Sequence, residues 1–257
     1  MITDLFLFGE MRVIKFNFDC NSSNQIHYLN YNPNQPKYKK ELHIQKLLEQ
    51  KNAPLCPTVS SRHSSLGVRV KALDRSRSSE RIAVENFIRD KYREVHEASI
   101  SEFFPTLFAG YVEQEMQVAI GLEHLKTNAA FLEQYLDEPI EMTLAKLGNT
   151  LVARERIVEI GNLAALNMDH AKLMVAFLVF HLTQKNIEWA VCTGTAAVRY
   201  VLQQMGLNFH VIDKANPELL GEAKRQWGSY YQQKPYVLAI HVAEALAVTK
   251  ELYSFKG

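Results

Sequence analysis

The stretch Arg156–Leu182, RIVEIGNLAALNMDHAKLMVAFLVFHL, changes its period halfway along. Its start carries Ile157, Val158 and Ile160 in the manner of a strand. Its end, Leu173–Leu182, is apolar nearly all round, which predicts a helix buried on several sides. The connection between them, Asn162–Asp169, contains no glycine. Strand-to-helix junctions favour anions because the first helical amides are free, yet cofactor phosphates need glycines for a close backbone approach. Asp169, placed to cap the helix, would occupy those amides and repel phosphate. The junction therefore reads as part of an α/β sheet that does not grip a pyrophosphate.

Working outward, the same two periods recur. LGVRVKAL (Leu66–Leu73) alternates as a strand, and SSERIAVENFIRDKYREVHEASI opens with serines suited to an N-cap. Ile82, Val84, Phe87, Ile88, Tyr92 and Val95 are expected on one helical face. TLFAGYVEQEMQVAIGLEHL reads as a hairpin turning at Glu113–Glu115. FLEQYLDEPIEMTLAKLG is read as extended, then helical. IEWAVCTG predicts a strand, TAAVRYVLQQMG a helix stopped by Gly206, and LNFHVID a strand. A helix over Pro217–Trp227 and the strand PYVLAIHV complete the order. This alternation predicts an α/β or α+β fold, a mixed sheet covered by helices. Residues 1–65, rich in Asn, Gln, Tyr and Pro, read as an irregular N-terminal extension with one helix at Leu42–Gln50, and residues 66–257 as the folded domain.

The chain has 257 residues, 47% hydrophobic and 22% charged, with a net charge of +1. No global field points to nucleic acid or to an anionic membrane. Cys20, Cys56 and Cys192 form no metal-spaced cluster, and no metal site is expected. The N-terminus lacks the form of a signal peptide, and the longest apolar block is shorter than the roughly 20 residues of a membrane span. A cytoplasmic protein without a stable membrane span is expected. No GxSxG, HExxH, Walker loop or GxGxxG is present.

Three motifs, FLEQYLDEPIE (Phe131–Glu141), EIGNLAA (Glu159–Ala165) and WGSYYQQKPYV (Trp227–Val237), resemble the thermostable hemolysin family of bacterial proteins, over about Ser79 to Val242. That family in turn resembles the GNAT acyltransferases, especially the acyl-homoserine-lactone and N-acyl amino acid synthases. The resemblance implies a GNAT-like mixed sheet whose fourth strand (Ile157–Ala164) and fifth strand (Ile187–Thr193) splay apart to admit the pantetheine arm of a thioester. It implies a fatty acyl donor on acyl carrier protein or coenzyme A, a small amine or amino acid acceptor, and no tightly bound cofactor. A Glu-x-x-Arg motif on the central strand corresponds here to Glu159 and Asn162, and the glycine-free junction suits a carrier-delivered acyl chain. Two positions depart from the family pattern: Asn162 stands in place of the arginine, and Glu123 follows the "GL" of the hairpin. The family name carries the alternative of a membrane-damaging protein, and the missing arginine that of a non-catalytic acyl-binding subunit.

Within that frame Glu159 reads as a general base or as a carboxylate held by Arg154 or Lys172. Asn162 reads as an oxyanion donor or as a bond to backbone at the strand end. Tyr135 could protonate a leaving thiolate or anchor its segment. Glu133, alternating with it, and Leu163 are candidate substrate contacts. Thr193 and Thr195 could cap the next helix or touch substrate. Arg199 could pair with a substrate carboxylate or form a surface salt bridge. Trp227, Tyr230 and Tyr231 could wall an acyl pocket or pack in the core.

Overall fold

A computed structural model describes residues 15–16, 58–61 and 68–256, except Arg77 and Thr127. In chain order the main elements are β1 (Arg69–Leu73), α1 (Ser79–His96), β2 (Thr106–Val112), β3 (Glu115–His124), α2 (Ile140–Gly148), β4 (Ile157–Ala165), α3 (Met168–Gln184), β5 (Trp189–Gly194), α4 (Ala196–Gln204), β6 (His210–Lys214), β7 (Tyr236–His241) and α5 (Val242–Leu252). Seven strands make one sheet in the order β1-β2-β3-β4-β5-β7-β6. Every neighbouring pair is antiparallel except β4 and β5, which run parallel at the centre. The fold is thus the mixed, GNAT-like α/β sheet flanked by helices that the sequence predicts. Short strands at Lys15–Phe16 and Tyr253–Lys256 pair with Thr58–Ser61 in a separate small sheet. The expected irregular extension over 1–65 and its helix at Leu42–Gln50 otherwise lie outside the described residues.

Alternation along β4 and β5 divides the core between the two faces of the sheet. Val158, Ala190 and Cys192 meet α3, α4 and α5 through Phe177, Leu178, Leu202 and Ala245. Ile157, Trp189 and Val191 point the other way, against Leu132 and the α2 residues Ile140 and Leu144. On that second face, nearer β1–β3, α1 packs Val84 and Ile88 over Leu107 and Ala109. The expected helix Leu173–Leu182 forms the middle of α3, and most of its side chains are buried. Among the described residues no helix is long and apolar enough to cross a membrane.

Several expectations need correction. Ile82 and Val95 are 48% and 61% exposed, so the apolar face of α1 is narrower than its sequence suggests. Arg81 is buried instead and donates to the carbonyls of Leu73, Asp74, Phe104 and Pro105. Phe131–Tyr135 is a 3₁₀ turn, not an extended segment, because the Glu133 carboxylate accepts from Ala130 N–H and Ile140 N–H and curls the chain. Pro217–Trp227 is two short 3₁₀ pieces broken at Gly221, where φ is +54°. The cap of α3 is Asn167, whose side chain accepts from His170 N–H, while Asp169 sits exposed in the first turn. The final helix α5 follows β7 without a break and was not read from the sequence.

Arg81 ties β1 and α1 to the segment Phe104–Pro105, and removing it leaves several carbonyls without a donor. Arg81→Met is expected to lower the unfolding free energy by about 3 kcal/mol in urea titrations. A change within experimental error would show that water replaces those bonds freely.

Candidate active site

The parallel pairing of β4 with β5 covers four residues on each strand, Ile157–Ile160 against Trp189–Cys192. Beyond that point the strands part. β4 stays with β3 as far as Ala165 opposite Val118, and β5 stays with β7 as far as Gly194 opposite Tyr236. The register of β4 slips against β3 between the Gly121–Gly161 and Ala119–Ala164 pairs, which makes a bulge at Asn162–Leu163. Asn162 takes φ +50°, a left-handed conformation that asparagine tolerates better than most residues. Gly121 and Gly161 face each other beside the bulge, and the dent they leave is filled by Phe104 and the Asn162 carboxamide. A Cβ at Gly161 would lie 2.8 Å from the Phe104 ring, and one at Gly121 2.8 Å from Asn162 Oδ1.

A cavity of about 800 Å³ occupies this parting and takes its walls from both faces of the sheet. On the α3 side the lining is apolar: Val179 and Leu182 from α3, Leu202 from α4, Leu207, and Ala245 from α5. On the α1 side it is aromatic and acidic, with Phe131, Tyr135, Trp227 and Tyr231 around Glu159, and Glu123 and Glu102 nearby. Leu163 lines the cavity and packs against the apolar side. Cys192, at the end of the paired stretch, is a buried thiol that burial pushes up to about 12, so it serves as a small apolar wall residue.

Glu159 is 2% exposed and accepts from Phe131 N–H at 2.6 Å and Leu132 N–H at 2.9 Å. Neither Arg154 nor Lys172 reaches it. Arg154 instead bridges Glu133, at 2.7 Å, and Glu141. Burial outweighs the two amide bonds, and with the carboxylates of Glu133 and Glu123 it pushes the Glu159 carboxyl up to about 8. Burial also pushes Glu133 upward, but Arg154 and the Ile140 and Ala130 amides prevail and hold it below its ordinary value. Glu133 is therefore the structural partner of the pair, fastening the 3₁₀ turn that presents its amides to Glu159.

The other sequence candidates fall into place around these two. Tyr135 is buried, and its hydroxyl lies 2.5 Å from that of Tyr231. Burial and this bond raise the Tyr135 phenol far above its ordinary value, and burial raises Tyr231 to about 12. Tyr230 donates to the Thr193 carbonyl at 3.1 Å, and Trp227, Tyr230 and Tyr231 form one ring cluster with Phe131 and Tyr92. Asn162 Oδ1 accepts from Phe104 N–H at 2.9 Å, and its Nδ2 reaches the Glu102 carbonyl only at 3.4 Å. Thr195 caps α4. Thr193 Oγ1 is buried at the gap without a hydrogen-bond partner. Arg199 forms no surface salt bridge with the described residues: it donates to the Gly194 and Lys234 carbonyls and lies over the Tyr236 ring. The structure adds His96, Phe103, Phe104 and the amides of Phe131 and Leu132 to the site. Only the amides could have been sought from sequence, as the start of a short turn beside a buried acid. Among the described residues no group of His, Cys, Asp or Glu is placed to hold a metal ion.

A sheet parted between its two parallel strands, with a cavity through the gap, defines the GNAT-like class. Solved structures of that class superpose on this chain. The acyl-homoserine-lactone synthase LasI does so with TM-score 0.50 and 11% identity, covering 72% of this chain and 95% of its own. FeeM, an N-acyl amino acid synthase from uncultured soil microbes, gives TM-score 0.50 and 13% identity, covering 69% and 93%. BjaI, a CoA-dependent acyl-homoserine-lactone synthase solved with SAM and isopentyl-CoA, gives 0.50 and 9%, covering 72% and 89%. At such identities the likeness establishes the fold. No curated protein matches by sequence. The family described as thermostable hemolysin matches residues 75–246, and the chain belongs to it.

The raised Glu159 carboxyl has a thermodynamic signature. From its unfolded value of 4.5 up to about 8, the folded chain holds a proton that the unfolded chain has released, so stability falls as pH rises through that window. Urea unfolding at several pH values should show Glu159→Gln losing this part of the slope, at most about 1.4 kcal/mol per pH unit. A variant with the parent's slope would refute the shift.

Proposed function

We propose that this protein is an acyltransferase that moves a fatty acyl group from a carrier-protein or coenzyme A thioester to a small amine. The observation that carries this reading is the cavity that crosses the sheet at the parting of β4 and β5, with a buried carboxylate on one side and an apolar recess on the other. Beyond Ile160 and Cys192 the facing strand edges have no ladder partner in each other. An extended pantetheine arm could bond to them as a strand would. The thioester would then lie near Glu159 and its acyl tail would run toward Leu202 and Ala245, where only apolar groups wait.

In this mechanism Glu159, when ionised, takes a proton from the amine as its nitrogen adds to the thioester carbonyl. Asn162 Nδ2, held only by its long bond to the Glu102 carbonyl, donates to the oxyanion, and Thr193 Oγ1 offers a hydrogen bond to the donor arm. The C–N bond forms, the C–S bond breaks, and Tyr135 passes its hydroxyl proton to the departing thiolate as it regains one from Glu159, so that the amine proton ends on the thiol. Tyr231, in contact with Tyr135, keeps that hydroxyl oriented. Leu163 and the aromatic trio of Trp227, Tyr230 and Tyr231 shape the pocket. Thr195 and Arg199 support it from the start of α4, and Glu133 fixes the turn that carries Tyr135. The junction after β4 carries no glycine and so offers little to a nucleotide pyrophosphate, which favours delivery by acyl carrier protein.

The test is thioester consumption by purified protein given acyl carrier and acyl-coenzyme A donors with a panel of amines. Glu159→Gln should lower kcat by about 10²–10⁴-fold while donor binding persists, and the parent's rate should rise with pH through about 8. Bound acyl chain without turnover would identify a binding subunit instead. Dye release from liposomes by the purified protein would favour the membrane-damaging alternative. Filling the recess with Ala245→Phe should shift donor preference toward shorter chains, read as a fall in kcat/KM for long acyl thioesters and little change for short ones. An unchanged chain-length profile would place the tail elsewhere.

A further inference from the structure

The acceptor can be narrowed from the charges around the cavity, an inference that rests on the acyltransferase reading. We infer that the acceptor is a cationic amine without a carboxylate, bound with its ammonium group between Glu123 and Glu159.

Glu123 on β3 and Glu159 on β4 are directly opposed in register, and both line the cavity. Two carboxyls directly across a strand pair are not both charged without cost, so such a pair calls for a proton, as Glu159 holds below about 8, or, once Glu159 ionises, for a cation between or beside them. Glu123 has one, Arg75, but the closest approach is 3.9 Å and the Arg75 side chain is 70% exposed. Glu159 has none and is held by amides alone. Glu102, an exposed residue, lies at the same side of the cavity.

The inventory of cations is as telling. Among the described lining residues Arg75 is the single lysine or arginine, against Glu102, Glu123 and Glu159. The arginines close by are committed elsewhere. Arg199 serves the Gly194 and Lys234 carbonyls, and Arg154 is fixed between Glu133 and Glu141. An amino acid brought to Glu159 by its ammonium would therefore carry its carboxylate into a negative wall with no built partner, and an unpaired charge in a partly buried site is strongly disfavoured. An amine lacking that group meets carboxylates and the faces of Phe131 and Trp227, which attract cations and organic side chains alike.

The chemistry balances with such an acceptor. Of the three ammonium protons, one passes to ionised Glu159 and then to solvent, one ends on the leaving thiol, and one stays on the amide. The amine nitrogen forms the new bond to the acyl carbon as the bond from that carbon to sulfur breaks.

The experiment compares acceptors that differ only by the carboxylate: tyramine with tyrosine, agmatine with arginine, putrescine with ornithine. Each is given with dodecanoyl-coenzyme A and with the dodecanoyl carrier thioester. The decarboxylated member should have a kcat/KM at least about tenfold higher in each pair. Glu123→Gln should raise KM for the amine about tenfold with a much smaller change in kcat, and Glu123→Arg should move the preference toward the amino acid. Circular dichroism and donor binding confirm that each variant is folded. Preference for amino acids in the parent, or a KM unmoved by both substitutions, would overturn this inference and leave the acyltransferase reading standing. Loss of neither thioester with any acceptor would overturn both.

Discussion

The parting of β4 from β5 after Ile160 and Cys192 is the constraint on which the rest of the molecule depends. A sheet interior normally keeps its ladder groups paired, and leaving them open at the centre is costly. The chain sustains the opening with two local devices. Asn162 adopts a left-handed conformation that puts an extra residue into β4, and paired glycines let Phe104 settle against the sheet beside it. The Asn162 carboxamide then holds the backbone of Glu102 and Phe104, and buried Arg81 holds the same segment from the other side. The wall of the cavity near α1 is thus fastened to the very bulge that opens it.

Two glutamates placed close together illustrate how environment divides their roles. Glu133 meets a guanidinium and two amides and is held as a stable anion. Glu159 meets only amides, sits deeper, and is pushed toward the neutral form at ordinary pH. The first builds the 3₁₀ turn, and the second is presented with the amides of that turn. A pair of carboxyls driven apart in this way is a recurrent arrangement where a proton must be held and moved.

Much of this fold was legible in the sequence, because alternation and helical periodicity are local properties. Val158, Ile160 and the run Leu173–Leu182 announce β4 and α3 without help from the rest of the chain. The gap beside β4 came only from the family resemblance, since nothing in EIGNLAA states where pairing with a neighbour ends. Two of the errors share one cause: polar groups seeking hydrogen bonds overrode an apolar period. Ile82 and Val95 fit the period of α1, yet Arg81 took the buried place because backbone carbonyls near Pro105 needed donors. FLEQY alternates like a strand, but the bonds of Glu133 to Ala130 N–H and Ile140 N–H closed it into a turn. The site was less legible because its contacts lie far apart in sequence. Tyr135 and Tyr231 are 96 residues apart, and the amides that hold Glu159 lie 27 and 28 residues before it.

Under the proposed function, the channel through the sheet would also link folding to the supply of acyl donor. A molecule that occupies it bridges two halves of the sheet that are laddered together over four residue pairs, and it has no comparable seat on the unfolded chain. By mass action such an occupant shifts the equilibrium toward the native state in proportion to its concentration over its dissociation constant. Under the proposed function, the heat resistance of a preparation would depend on the acyl donor it carries as well as on its amino acids.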